Sequence, residues 1–279
     1  GTENMSQAPY LLPNHRFGHK LGATKVLDSL IHDGLTDVFE QVHMGVTAEK
    51  IAERFAITRE EQDKFAFCSQ QKAAQAIEND RFKEEIVPIP VQDHKGNQMI
   101  FSQDEYVRKN TTLDDLAKLK PAFVKDGTVT AGNSSGINDG AAALILMSKE
   151  LADKRGIPYF GKVRAYYEIG VEPIMMGYAP YYAIKGLLEK TGYTTDEIDL
   201  YELNEAFASQ SIAVIRDLGL NPDKVNVNGG AIALGHPIGA SGSRILVTLL
   251  YEMQKRNARL GVASLCVGGG IGIALLVEK

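Results

Sequence analysis

The chain has 279 residues, a formal net charge of −5 and 44% hydrophobic residues, enough apolar material for one large or two ordinary buried cores, and its acidic balance argues against nucleic-acid binding. No apolar run is long enough to span a membrane and nothing at the start reads as a signal peptide. The two cysteines, Cys68 and Cys266, form neither a disulfide framework nor a zinc-binding spacing, which favours a reducing cytoplasm.

Residues 1–135 read as irregular and polar, with islands of helix. The run from Val46 to Asp80 divides into two helices. Thr47 is the expected cap of the first, and Thr58 with Glu61 forms a capping box for the second, which contains Cys68. A cysteine in such a helix reads first as a small packed residue. "EEIVPIPV" at Glu84 alternates like an edge strand, where its prolines are tolerated. The polar stretch after it carries Arg108, Lys109, Lys118 and Lys120; taken alone, these cations read as a solvated face.

From about Gly161 the order becomes regular: a strand from Lys162, a helix over 179–192 closed by Gly192, a short strand at 197–204, and a helix over 205–219 closed by Gly219. "KVNVNGG" at Lys224 reads as a strand and "SGSRILVTLLYEMQKR" at Ser241 as a helix. "LGVASLCVGGG" and "IGIALLVEK" read as two final strands. Alternation of this kind predicts an α/β sheet covered by helices on both faces. Ligands on such sheets collect at strand carboxyl ends and helix starts. Asn204–Glu205, His236 and Cys266–Gly268 fall at those places.

"NGGAIALGHPIGASGSR" at Asn228 suggests a phosphate cradle, but no lysine followed by Ser or Thr closes it, as a nucleotide loop requires. "CVGGGIG" lies between two strands rather than opening a helix, so it is not a dinucleotide fingerprint. The glycine loop instead reads as placing His236 just before a helix N-terminus, where the dipole disfavours a charged imidazole. The three glycines after Cys266 would let a backbone N–H come close to a reacting oxygen. Alone, His236 reads as a loop-bonding histidine and Cys266 as an inert buried thiol; together with Asn204 they suggest a reactive cluster.

"NEAFA" at Asn204, "GGAIALGHPIGASGSR" at Gly229 and "CVGGGIG" at Cys266 resemble the three C-terminal motifs of the thiolases. "GTENMSQAPY", "VHMGVTAEKIA", "KPAFVKDGTVTAGNSSGINDGAAALILMS" and "EPIMMGYAP" resemble further thiolase segments, so the likeness runs the length of the chain. "HMG" and "MMG" lean toward the acetyl-CoA C-acetyltransferase branch. The resemblance implies a layered α-β-α-β-α fold. Residues 1–135 would be a coenzyme A-binding loop domain, 136–160 the tail of the N-terminal thiolase half, and 161–279 the C-terminal domain.

The resemblance also implies roles. His236 would activate a nucleophilic cysteine and help hold a thioester oxygen. Asn204 would complete that oxyanion hole, Cys266 would exchange a proton with the α-carbon, and Gly268 would give the other hole its backbone N–H. Arg108 would lie beside the nucleotide end of coenzyme A, with Ala131, Gly132, Ser135 and Phe123 along the pantetheine arm. His43, Met44, Met176, Ala206 and Phe207 would line the acyl and pantetheine tunnel. No metal and no cofactor are implied, only coenzyme A thioesters as substrates. The implied reaction is thiolytic cleavage of acetoacetyl-CoA or Claisen condensation of two acetyl-CoA, in a cytoplasmic homo-dimer or tetramer, with no nucleic acid and no membrane as partner.

The family carries its nucleophilic cysteine upstream of the segment matching "GTENMSQAP". Gly1 therefore reads as an internal position, and the missing N-terminal thiolase segment is an expected partner. Residues 1–279 alone are expected to be inactive, with apolar Ala141–Met147 reading as a strand whose sheet neighbours lie in that segment. A longer-chain 3-ketoacyl-CoA thiolase and a non-catalytic acyl-CoA- or lipid-binding protein are the alternatives.

Overall fold

The computed structural model describes residues 1–93 and 95–279. Three short strands come first: β1 (Thr2–Glu3), then β2 (Tyr10–Leu11) and β3 (Leu27–Asp28), which pair with each other. Helices α1 (Met44–Arg54) and α2 (Arg59–Glu78) follow. β4 (Ile89–Gln92) and β5 (Gln98–Phe101) make an antiparallel hairpin, and α3 (Leu113–Ala117) is a short helix. β6 (Gly140–Ala141) pairs antiparallel with β1, and α4 (Lys149–Arg155) closes this region. The expected strand at 84–91 thus begins only at Ile89.

The capping box of α2 forms: the Thr58 hydroxyl accepts from Glu61 N–H at 3.2 Å and the Glu61 carboxylate from Thr58 N–H at 2.7 Å. Thr47 does not cap α1. The helix starts four residues earlier than that cap implies, capped by His43, whose Nδ1 accepts from Gly45 N–H at 3.0 Å. Buried Thr47 instead donates to Met44 O at 2.7 Å. Apolar packing of the "HMG" turn draws those residues into the helix.

The second region builds the central sheet from β7 (Lys162–Gly170), β8 (Leu200–Leu203), β9 (Leu260–Val267) and β10 (Ile271–Glu278), in the order β7-β10-β9-β8. β8 and β9 are parallel, and β10 is antiparallel to both its neighbours. Helices α5 (Ala179–Thr191), α6 (Ala208–Asp217), α7 (Ala231–Leu234) and α8 (Ile238–Arg256) connect and cover it. Alternate residues of β8, β9 and β10 face opposite cores. Tyr201, Leu203, Val262, Ala274 and Leu276 pack with Ile184 and Leu187 of α5 and Val214 of α6. Leu200, Ala263 and Val277 pack with Ile245, Leu249 and Met253 of α8. Gly192 ends α5 in the left-handed conformation, as its position predicts.

"KVNVNGG" is not a strand. It makes one parallel bridge, Val225 to Tyr201, and then Asn226 turns to a φ of 43°. The Asn226 carboxamide takes over the ladder: Oδ1 accepts from Leu203 N–H and Nδ2 donates to Leu203 O, both at 2.8 Å. The side chain thereby satisfies backbone groups that a neighbouring strand would have paired.

The run after β6 is not a strand buried on both faces. Ile145 is 89% and Leu146 77% exposed, an uncovered apolar strip beside the β1–β6 ribbon. Among the described residues no helix is long and apolar enough to cross a membrane.

Candidate active site

Beyond the carboxyl ends of parallel β8 and β9, side chains from both faces of the sheet meet. Asn204 follows β8 directly, and its N–H donates to Ser264 O at 3.0 Å, which docks it against the last pair of the β8–β9 ladder. Cys266 points to the α6 face, where it packs with Met44, Ala48, Val129, Met176, Ala206 and Phe207, and with Phe123 at the margin. His236 comes from the other side, on the turn between α7 and α8.

That turn is tightly held. Gly235 has φ 101° and a Cβ there would lie 2.5 Å from the Asn138 carboxamide, so glycine is required on both counts. The Asn138 oxygen accepts from His236 N–H at 3.1 Å. Helix α8 starts at Ile238, not Ser241, so Ser241 lies in its first turn beneath the imidazole. The Ser241 hydroxyl donates to Pro237 O at 2.9 Å, which leaves its oxygen to accept from His236 Nδ1–H at 2.6 Å. Nε2 then carries the lone pair and accepts from Asn204 Nδ2–H at 3.2 Å. This is the neutral tautomer, with the basic lone pair at Nε2 engaged by Asn204.

Burial first, and the nearby Arg244 cation second, push the His236 pKa down to about 4. These, rather than the helix end alone, keep the ring neutral. Because the folded imidazole binds a proton less readily than the unfolded one at 6.5, the unfolded chain gains protons first as pH falls. Stability contributed by neutral His236 is present above pH 6.5 and lost toward pH 4. The stability advantage of the unmodified protein over His236→Gln is therefore expected to shrink by about 1–3 kcal/mol between pH 7 and pH 4.5 in denaturant titrations. A difference independent of pH would contradict the buried neutral imidazole.

Gln210, not expected from the sequence, and Glu205, which follows Asn204, complete the arrangement. Gln210 of α6 accepts from the Cys266 thiol at 3.7 Å and donates to Asn204 O at 3.1 Å. Its place three residues beyond Phe207, on the inner side of α6, was the available signal. Glu205 is buried and accepts from Ser69 Oγ at 2.7 Å, Asn226 Nδ2 at 2.8 Å and Ile232 N–H at 3.3 Å. It pins α2 and α7 behind the site, and burial raises its pKa. A Cβ at Gly230 would fall 2.2 Å from the Glu205 carboxyl carbon. Gly230→Ala is accordingly expected to cost about 1–3 kcal/mol in thermal or chemical unfolding; an unchanged midpoint would show that the carboxylate can shift freely.

The other anticipated residues divide into two groups. Met44, Phe123, Met176, Ala206 and Phe207 gather around Cys266, and burial pushes that thiol up to about 11. His43 stacks on Phe123 with ring centroids 4.8 Å apart, and burial lowers its pKa. A Cβ on Gly268 would reach Met44 Cε at 3.0 Å, which places that exposed glycine at the same mouth. Ser135 joins through its N–H, which donates to Ala206 O at 3.0 Å. Arg108, Ala131 and Gly132 instead line an open cavity of about 600 Å³ with Gln70, Tyr106 and Leu116. Arg108 stands over the Tyr106 ring at 5.9 Å, and its N–H donates to Gln70 Oε1 at 2.8 Å. Cys68 is exposed on α2, outside both groups.

The chain matches two family models, "Thiolase, N-terminal domain" over residues 1–150 and "Thiolase, C-terminal domain" over 157–279. It is 58% identical to an acetyl-CoA acetyltransferase of Syntrophomonas wolfei and 55% identical to one of Pseudomonas aeruginosa, spanning all of this chain and 71% of each relative. Among solved structures, an acetyl-CoA acetyltransferase of Bacillus anthracis superposes with a TM-score of 0.96 at 47% identity, over all of this chain and 70% of that one. Human mitochondrial 3-ketoacyl-CoA thiolase in complex with CoA superposes at 0.92 with 46% identity, over all of this chain and 69% of that one. With both domain models matched and more than half of its residues shared with relatives along its whole length, the chain belongs to the thiolase family.

Proposed function

We propose that the chain is the α-carbon acid–base and coenzyme A-binding part of an acetyl-CoA acetyltransferase. It would cleave acetoacetyl-CoA with coenzyme A or condense two acetyl-CoA. The observation that carries this reading is the linked set Cys266, Gln210, Asn204, His236 and Ser241, which joins a thiol to a neutral imidazole across the ends of β8 and β9. His236 Nε2 carries the lone pair that would take a proton from a nucleophilic thiol once it exchanges its bond with Asn204. Asn204 Nδ2 and His236 present fixed polar groups where a thioester oxygen would acquire charge. Cys266 supplies or receives the α-carbon proton. The Met44, Met176 and Phe207 side chains crowd the thiol, which supports a short acyl group.

In this reading the nucleophile is a cysteine that residues 1–279 do not contain. Cys266 occupies the acid–base position and Cys68 is exposed on α2. The segment bearing that cysteine would also cover the exposed strip at Ile145 and Leu146. A cytoplasmic homo-dimer or tetramer belongs to the same reading and rests on the family likeness.

The test is thiolysis of acetoacetyl-CoA against longer 3-ketoacyl-CoA substrates, in the protein carrying residues 1–279 together with the nucleophile. Preference for acetoacetyl-CoA supports the assignment; preference for long chains makes it a 3-ketoacyl-CoA thiolase; binding without turnover makes it an acyl-CoA carrier. Arg108→Ala is expected to weaken coenzyme A binding about two- to fivefold at low salt, as for an exposed ion pair, with the gap closing as salt is added. A loss independent of salt would assign Arg108 to packing against Tyr106 instead.

A further inference from the structure

Gln210 is 2% exposed, and its carboxamide orientation is dictated from the side away from the thiol. Nε2 donates to Asn204 O at 3.1 Å and also to Ser211 Oγ. Asn204 O is a carbonyl and can only accept. The Ser211 hydroxyl donates its hydrogen to Phe207 O at 3.1 Å, so its oxygen faces Gln210 as an acceptor as well. Turning the amide over would set Oε1 against two acceptors inside the core and leave them unsatisfied. Oε1 is therefore left facing Cys266, where the thiol donates to it at 3.7 Å.

We infer that Gln210 is a positioning residue that holds the Cys266 sulfur in its protonated form and fixes the direction of the S–H bond. An acceptor with no N–H to offer stabilises a thiol and repels a thiolate. Burial of the sulfur acts in the same sense. The consequence rests on the thiolase reading: at rest, Cys266 is loaded with the proton that a departing acetyl-CoA enolate takes up at its α-carbon. In condensation the substrate must supply that proton to a thiolate, which this acceptor disfavours. Gln210 thus biases the resting site toward cleavage without touching substrate.

The test reads the thiol, not turnover. The rate of Cys266 alkylation by iodoacetamide is followed against pH by peptide-resolved mass spectrometry in the protein carrying residues 1–279. Gln210→Met, similar in shape but without the acceptor, is expected to lower the alkylation midpoint by about one pH unit. Gln210→Glu, which places a carboxylate against the sulfur, is expected to raise it. An unmoved midpoint in a folded Gln210→Met protein overturns the assignment. Should that variant not fold, the S–H infrared stretch of the unmodified protein, isolated by subtracting Cys266→Ala, decides: a hydrogen-bonded position supports the assignment and a free-thiol position overturns it. Failure on either measurement leaves the thiolase reading standing. Undiminished α-carbon exchange in Cys266→Ala would instead overturn that reading and leave the Gln210 bond intact.

Discussion

A polypeptide of residues 1–279 by itself is expected to give no measurable cleavage of acetoacetyl-CoA. The proposed mechanism is covalent: a thiolate attacks the ketone, the carbon–carbon bond breaks, and the acyl group is held as a thioester until coenzyme A removes it. Of the two cysteines in the chain, Cys266 is buried with its S–H committed to Gln210, and burial raises its pKa to about 11. Cys68 is exposed on α2, and the His236 ring bonds to Asn204 and Ser241 instead. With no nucleophile, the neutral base at His236 Nε2 has no proton to take. Losing the nucleophile of a covalent mechanism lowers kcat by about 10⁶-fold, below detection in a coupled assay. Coenzyme A binding at the cavity beside Arg108 should persist in the same sample wherever the chain folds, and adding the cysteine-bearing segment should restore turnover. Cleavage by residues 1–279 verified free of intact enzyme by mass spectrometry would require a different nucleophile and withdraw the division of roles.

Replacing the other sulfur should separate two steps. In the protein with its nucleophile present, Cys266→Ala is expected to slow exchange of the acetyl-CoA α-hydrogens with solvent by about 10²–10⁴-fold, the usual contribution of a positioned acid–base group. Acylation of the nucleophilic cysteine by acetyl-CoA should continue, because it needs His236 and Asn204, whose own contact is independent of the sulfur. The packing change is modest, since alanine keeps the Cβ among Met44, Met176 and Phe207. The measurement is deuterium exchange by NMR beside trapping of the acyl-enzyme by mass spectrometry. Equal loss of both would mean that the sulfur shapes the pocket rather than moving the proton.

Much of this was legible along the chain because it is local. The capping box at Thr58–Glu61 and the left-handed end of α5 at Gly192 depend on a few neighbouring residues, and both formed as read. The near-continuous apolar runs of β9 and β10 mark strands with two covered faces. The motifs around Asn204, His236 and Cys266 named a family because each joins a reactive side chain to the glycines or helix start that would hold it.

The misreadings occurred where distant residues compete for a backbone group. "KVNVNGG" has strand composition, yet Asn226 satisfies Leu203 with its side chain and bends away, a choice that exists only once β8 is beside it. Helix α1 is capped by His43 rather than by Thr47 because its first turn packs on Phe123, far along the chain, and His43 stacks there. The protonation pattern of the site was likewise out of reach. His236 is neutral because burial and Arg244 make it so, and Gln210 faces the thiol with its oxygen because Asn204 O and Ser211 Oγ claim its N–H groups. The sequence by itself determined which residues could do the chemistry and which elements would carry them. The tertiary structure decided which proton sits on which atom, since that depends on dielectric surroundings and on partners brought together from separate strands and helices.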